Sequence, residues 1–449
     1  GYSIRMGATV LAMVSTHARL APFLLAWVVM AGACSDKPRK SPSGAAPTPA
    51  VGADAAARAP VPAVVAVCGQ QVASSATEFR CGEALDDLTP LAGLPALRKL
   101  ALTDVTARDL SPLGELVQLE ELELWIRDAA RVDLTPLSKL VKLTKLDLSK
   151  SDLRDVAALA TLTRLRTLDL SQTDVVDAAP LASLVELRDL DLGRTQVASA
   201  APLAALIWLE RLSLDHTRVQ DLTPLAALKG VTDLNLGDTP AVDLAPIAGL
   251  PVLRSLDLDG TRAPLAPLAR ATSLMALSVR GSTLSDLAVL SPLTKLVALR
   301  ADDTAIRDLT PLATLPSLSL LTVRGTQVAD LAPLAALKAI YTLHLDGTQV
   351  VDLSALAELP ELKELTLGDT RVADVTPLAG LVKLEILWLH RTAVKDVTPL
   401  AGLSALMRLT LAQTAVTDRA PLAGLSELQR DWLDKVPPDA WAPPAAEAP

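Results

Sequence analysis

Aromatic side chains are nearly absent. The 449 residues include 6 Trp, 2 Tyr and 2 Phe, about 2%, although half the chain is hydrophobic. A core built from rings is thereby excluded, and leucine is left to fill it. Positive charge is not in excess either. Lys and Arg number 42 against 51 Asp and Glu, a formal net charge of −9. No basic surface for general nucleic-acid binding follows from that balance. Histidine occurs four times, at 17, 216, 344 and 390, and cysteine three times, at 34, 68 and 81. The patterns G-x-S-x-G and H-E-x-x-H, the Walker-type loop and the glycine-rich dinucleotide loop are all missing, which argues against an enzyme. Acidic stretches lack the Gly-rich nonapeptide of calcium-binding β-helices. The expectation is no catalytic residue, no metal and no cofactor.

What fills the chain instead is a 22-residue unit. It is clearest where DVTPLAGLVKLEILWLHRTAVK, from Asp374 to Lys395, abuts DVTPLAGLSALMRLTLAQTAVT, from Asp396 to Thr417. Its opening position recurs 16 times, at 87, 109, 133, 155, 177, 199, 221, 243, 264, 286, 308, 330, 352, 374, 396 and 418. Fourteen of these are Asp; Ser199 and Pro264 are the exceptions. Thirteen of the 15 spacings are 22, one is 24 (Asp109 to Asp133) and one is 21 (Asp243 to Pro264). A fixed period sustained this long is the mark of a solenoid.

Each part of the unit has a physical reading. The L-x-L pair, such as Leu387 and Leu389, alternates in and out and predicts a short strand. Such strands, one per repeat, stack in parallel into a continuous sheet. The D-L-T-P-L-A-x-L part predicts a short helical turn on the opposite side. Pro stands fourth in 13 of 16 units, and Ser or Thr precedes it in seven. A capping hydroxyl followed by Pro at the first helical position suits a helix start, and the Asp can join the same cap. One unit alone buries too little to offset its own ordering, so the copies form one cooperative domain.

This pattern resembles the internalin-like class of leucine-rich repeats over about residues 85–430. The resemblance implies an α/β fold: a right-handed horseshoe solenoid, with a parallel β-sheet on the concave face and short helical turns on the convex face. It also implies recognition or adhesion. One departure stands out. The family has Asn after L-x-L, where it forms a hydrogen-bonded ladder; here Ser or Thr fills that slot in 13 of 15 units, from Ser151 and Thr173 to Thr414. A hydroxyl has fewer hydrogen-bonding groups than an amide, which predicts a weaker ladder and a different curvature.

Outside the repeats, residues 1–33 read as a signal peptide, with Met13 the better start. His17 and Arg19 form its basic region, and the apolar run from Phe23 to Ala33 is too short to span a bilayer. The run ends Met-Ala-Gly-Ala-Cys. Small residues before Cys34 resemble the lipobox of bacterial lipoproteins, although Ala31 stands where that pattern prefers Leu. The resemblance implies cleavage before Cys34 and a lipid on its thiol. Ser35 next to it resembles sorting to the outer membrane. Export to the bacterial cell envelope and attachment to its membrane through the lipid alone would follow. Residues 34–63, rich in Pro and Ala, form a tether. Residues 64–86 form an N-terminal cap holding Cys68 and Cys81, which in an exported chain suggest a disulfide over two free thiols. The leucine-rich-repeat domain then spans 87–430. In 431–449, Trp432 is expected to cover the last leucine layer ahead of a loose tail.

Function is then left to the surface. His344 and His390 lie two repeats apart, about 10 Å along a sheet of ~4.8 Å spacing, too far for one metal. The outward strand positions from Lys99 to Asp259 hold ten acids and three bases, net −7; those from Ala276 to Ala412 hold three acids and four bases, net +1. Glu123, Asp147, Asp169, Asp191 and Asp257 mark the acidic half. Like charges on neighbouring strands repel and ask for a reason. Arg300, His344, Trp388 and His390 mark the other half, with Trp388 the expected outward anchor. Trp208 falls on the turn side and is expected to pack. The reading is a scaffold that binds a protein through the concave face. The rival is a structural or adhesion protein that binds a cell-wall or surface glycan; only Trp125 and Trp388 could serve as exposed aromatic platforms for it.

Overall fold

The computed structural model describes residues 64–127 and 132–437. The signal peptide, Cys34 and the tether lie outside the described residues, as does the end of the tail.

The L-x-L pair does form the sheet. Sixteen strands lie side by side in chain order, from β3 (Glu78–Cys81) to β18 (Arg408–Thr410). β4 (Lys99–Val105) and β5 (Glu121–Ile126) are long; from β6 (Lys145–Asp147) onward every strand has three residues. Pairing is parallel, and equivalent residues face each other. Leu146 pairs with Leu168 and Leu168 with Leu190. These leucines are at most 3% exposed and join one continuous core along the chain. The chain is thus an α/β leucine-rich-repeat solenoid, with the sheet on one side and short helical turns on the other. None of its described helices is long and apolar enough to cross a membrane.

The turns differ from the expectation in two ways. Among the described residues they are 3-10 turns, such as Thr398–Gly402, with a single α-helical turn at Ala245–Ala248. Their start is capped by the opening Asp and not by a hydroxyl. Asp374 Oδ1 accepts the N–H of Thr376 at 2.8 Å, and Asp396 does the same for Thr398. All fourteen aspartates make this bond at 2.8 Å, and Ser199 replaces it through its hydroxyl at 3.2 Å. The hydroxyl one residue before Pro cannot cap, because its own N–H is the one being capped. Where Thr or Ser follows, as at Asp87 and Asp374, its hydroxyl and N–H hold the carboxyl below the usual range.

The Ser/Thr slot also behaves differently from a ladder. Thr173, Thr195, Thr217 and Thr239 donate to the carbonyl three residues earlier in their own repeat, at 2.6–2.7 Å. Six further threonines, from Thr304 to Thr414, repeat the pattern. A threonine hydroxyl spends its one proton locally, so the main chain carries the link between repeats. The residue before each Thr takes a left-handed conformation, φ 53–67°, in thirteen successive repeats from Lys150 to Gln413. Its N–H donates to the next repeat: Gln172 to Gly193 O and Arg391 to Ala412 O, both at 2.8 Å. A side chain in that conformation costs about 1–2 kcal/mol. Gly325 and Gly347 avoid the cost, but Arg194 and Arg391 do not.

The two ends are closed by short caps. β1 (Val64–Val67) and β2 (Gln70–Ala73) form an antiparallel hairpin around Cys68–Gly69, both at positive φ. Two positive φ values in a two-residue loop suit the twist of a hairpin. Cys68 is disulfide-bonded to Cys81 at the end of β3, 13 residues on, which ties the hairpin to the first strand of the sheet. Replacing both by Ser is expected to cost about 3 kcal/mol in the chain-entropy account of so short a loop. An unchanged urea midpoint with and without reductant would show the bridge to be idle. At the other end Leu433, not Trp432, plugs the core. It is 5% exposed, and its carbonyl accepts the N–H of Leu411. Trp432 lies half-buried under the Arg408 guanidinium, 5.2 Å from the ring centre.

Candidate functional site on the sheet face

Three outward columns run along the sheet. A first column precedes the first leucine of each strand, a middle column lies between the two leucines, and a third follows the second leucine. In the middle column Asp147, Asp169 and Asp191 stand in register on β6, β7 (Thr167–Asp169) and β8 (Asp189–Asp191).

The structure supplies a reason for this row. Each carboxylate accepts the backbone N–H two residues on: Ser149 at 2.9 Å, Ser171 at 2.8 Å, Gly193 at 2.8 Å. Asp257 does the same for Asp259. The row satisfies the N–H groups where the strand stops and the chain enters its left-handed residue. Asn235 makes the same bond to Gly237 at 3.0 Å, so an amide suffices and the negative charge is surplus to the fold.

That surplus raises proton affinity. Burial pushes the Asp191 carboxyl up to about 7, with Asp169 and Asp215 adding to it against the Gly193 N–H. Burial likewise raises Asp169, and Asp147 adds to that. Glu123 is raised by burial and then by Asp147, against the pull of Arg80, whose guanidinium stands 3.7 Å away. Asp215, in the third column, and the neighbouring Asp238 were left out of the sequence-based site and extend the acidic patch. Asp215 accepts from Ser213 Oγ at 2.7 Å and lies 3.1 Å from His216 Nδ1; His216 Nε2 reaches Asp238 at 3.2 Å. Glu123, Asp147, Asp169 and Asp191 are therefore contiguous over β5–β8, and Asp257 stands further along on β11 (Ser255–Asp257).

The C-terminal half is built another way. Here third-column carboxylates serve the following strand. Asp302 accepts the N–H of Arg324 and Asp346 the N–H of Gly368, both at 2.8 Å. Asp346 is fully buried. Its other oxygen takes the Thr366 hydroxyl and lies 3.2 Å from Arg324 Nε. Arg324 Nη2 lies 2.7 Å from His344 Nδ1, and His344 Nε2 lies 3.1 Å from Glu364. Burial works to raise the Glu364 carboxyl, but His344 and then Arg324 hold it below its ordinary value. Arg300, on β13 (Ala298–Arg300), is half-buried; burial and the neighbouring Arg280 lower its proton affinity. Asp346 and Glu364 were not singled out from sequence. The signal lay in their column positions, which place them beside His344.

Trp388 is not the exposed anchor that its register suggests. It is 5% exposed, and His390 is fully buried. The cause is the size of their neighbours. On β17 (Ile386–Trp388), Trp388 is flanked by Thr366 and Thr410, while His390 is preceded by Gly368 and followed by Ala412 one repeat either way. Beside such small neighbours the rings lie down on the sheet, with centroids 6.3 Å apart. A Cβ on Gly368 would collide with the His390 ring. Burial lowers the proton affinity of His390, although Asp346 and Asp369 oppose the shift. Trp125 is half-buried beneath the Lys150 ammonium, 3.8 Å from the ring centre. Trp208, expected to pack, is 59% exposed on the turn side. Among the described residues no three His, Cys, Asp or Glu side chains gather closely enough to hold a metal ion.

No protein-family model matches this chain, and no curated protein does. Solved structures do share its fold. A leucine-rich-repeat protein of Leptospira interrogans is 18% identical, with 77% of this chain and 99% of that one covered and a TM-score of 0.66. The functional domain of InlJ from Listeria monocytogenes, which includes a cysteine ladder, is 19% identical over 76% of this chain and 75% of that one, with a TM-score of 0.57. The leucine-rich-repeat ectodomain of the Arabidopsis thaliana receptor kinase GASSHO1/SCHENGEN3, in complex with CASPARIAN STRIP INTEGRITY FACTOR 2, is 18% identical over 78% and 52%, with a TM-score of 0.52. At such identities the likeness is one of fold.

Proposed function

We propose that this chain is a non-enzymatic, extracytoplasmic scaffold that binds a protein partner through its sheet face, held to the bacterial envelope by a lipid on Cys34. One observation carries the binding reading. The middle column keeps half-buried carboxylates at Asp169 and Asp191 where Asn235 shows that an amide would serve the fold. Charge retained against its own repulsion is what a basic segment of a partner would relieve. The frame residues around it are spent on the core and on caps, while the outward columns vary from repeat to repeat. A rigid sheet also loses little entropy on binding. A protein fits better than a glycan, because Trp388 is covered and Trp125 lies under Lys150. The Cys68–Cys81 bridge accords with an oxidising compartment outside the cytoplasm.

The triple variant Asp147→Asn, Asp169→Asn, Asp191→Asn is the test. In pull-downs from envelope extract it should capture the partner at least tenfold more weakly and with less dependence on salt, while being at least as stable as the parent. Capture equal to the parent's, together with loss on substituting the Pro-Leu-Ala turns of a still-folded protein, would falsify the sheet-face reading. For the anchor, mass spectrometry of the membrane fraction should find acyl groups on Cys34. A mature, water-soluble protein beginning elsewhere would remove that part of the proposal.

A further inference from the structure

We infer that the open edge of β3 is a self-association surface, where a second copy of this chain adds its own β3 in antiparallel. This edge lies beyond the acidic row and does not depend on it. β3 ends the long sheet, and among the described residues it pairs only with β4. The hairpin of β1 and β2 is a separate sheet. It carries no charged residue and packs toward the turns, where a Cβ on Gly93 would collide with Val65.

The ladder decides which groups the edge offers. The Thr77 carbonyl accepts the Lys99 N–H at 3.0 Å, and Phe79 is in register with Leu100. Bonded residues alternate along a parallel strand. Phe79 and Cys81 therefore turn their N–H and C=O toward β4, while Glu78 and Arg80 turn theirs outward. No turn or loop bond among the described residues takes these outward groups. The side chains of Glu78 and Arg80 are exposed, and Phe79 and Cys81 are buried.

Open edges are ordinarily guarded by charge, lysine above all. Here an acid and a base stand two residues apart, so the edge is complementary to itself. Only one register serves. An antiparallel pair centred on Phe79 sets Glu78 opposite Arg80 of the second copy, and Arg80 opposite its Glu78. Residues with outward backbone groups then face each other and exchange both hydrogen bonds. The same pairs bring opposite charges together on the sheet face. Centring on Glu78 or on Arg80 would set like charges face to face. A one-residue slip would match an outward backbone group with one already bonded to β4. Existing contacts hold these side chains loosely: Arg80 is 3.7 Å from Glu123 and Glu78 4.0 Å from Lys99, with side chains 68% and 69% exposed. So short a strand predicts weak association.

Sedimentation velocity of the full chain from about 1 µM to about 500 µM, the weak end of specific contacts, is the test. The parent should show a reversible monomer–dimer equilibrium. Glu78→Arg and Arg80→Glu each set like charges across the pair, and each should weaken the dimer at least tenfold. Mixed together, these two variants should dimerise, because every facing pair is again opposite in sign. The double variant Glu78→Arg, Arg80→Glu should dimerise as the parent does. Should one single variant fail to fold, the other and the double variant decide. A parent that stays monomeric throughout, leaving the edge to a strand of another protein, overturns self-association here. So does a dimer that the single variants keep, or a double variant that stays monomeric.

Discussion

Asp346→Ala should be among the most damaging single substitutions in the protein, lowering stability by about 3–5 kcal/mol, the usual result of stripping one partner from a buried ion pair. The carboxylate is fully buried and serves three groups at once. Alanine would leave the Arg324 guanidinium, itself only 18% exposed, without its counter-charge. It would also orphan the Gly368 N–H beneath the His390 ring and the Thr366 hydroxyl. Asp346→Asn keeps an oxygen for Gly368 and loses only the charge, so a smaller loss of about 1.5–3 kcal/mol is expected. Long repeat arrays need not unfold in one step, so the denaturant midpoint should be read beside amide exchange. The Gly368 amide should lose its protection in the alanine variant while the Thr89 amide, many repeats away, keeps it. A loss under about 1 kcal/mol, or uniform loss of protection along the chain, would mean that the network around Asp346 does not act as one unit.

The solenoid was legible because its period is redundant. Each leucine position recurs in repeat after repeat, so the register of β6 to β18 could be read without a single contact known. The caps of the turns were legible only in part. Sequence spacing places both Asp374 and Thr376 near the start of a turn, but only the backbone shows that the carboxylate reaches the Thr376 N–H and that Thr376 cannot cap itself. The threonine slot failed for a related reason. A periodic polar residue predicts a ladder between repeats only if its proton is not used up within the repeat, and Thr173 donates to Leu170 O.

The candidate site was legible by column and not by exposure. Pattern reasoning puts Trp388 and His390 on the outward side, where they are. Whether an outward side chain meets solvent depends on the bulk of its neighbours across strands, and Gly368 and Ala412 let the rings fold down. The same blindness concealed Asp346, because an acid on an outward column looks solvated until Arg324, Thr366 and His390 are seen to close over it. The acidic row was the converse. Its like charges looked unexplained, and the Asx-type bond to the next N–H but one accounts for the residue type but not for the charge.

That distinction leads to the second large effect, which depends on pH. Burial and Asp169 raise the Asp191 carboxyl from 3.8 to about 7. Between those values the folded protein binds the proton more tightly than the unfolded chain does. Stability therefore falls as pH rises from about 4 to about 7, and the full penalty applies above 7. At about 1.4 kcal/mol per pH unit the ceiling is about 4 kcal/mol, and solvent screening at this half-buried position brings it to the order of 2–4. Asp191→Asn should recover that much at pH 8 and almost nothing at pH 4, since Asn can keep the bond to the Gly193 N–H as Asn235 does to Gly237. The capping aspartates that hold a Thr or Ser, such as Asp87 and Asp374, pull the other way. Their lowered carboxyls stabilise the fold above about pH 4 and lose that contribution as pH drops further, so the steep acid loss should persist in the variant. Urea midpoints of parent and Asp191→Asn measured from pH 3 to pH 8 would converge at the acid end and separate steadily toward neutrality. Two parallel curves would show that the row carries no strain at Asp191, and with it would go the argument that a partner is needed to relieve it.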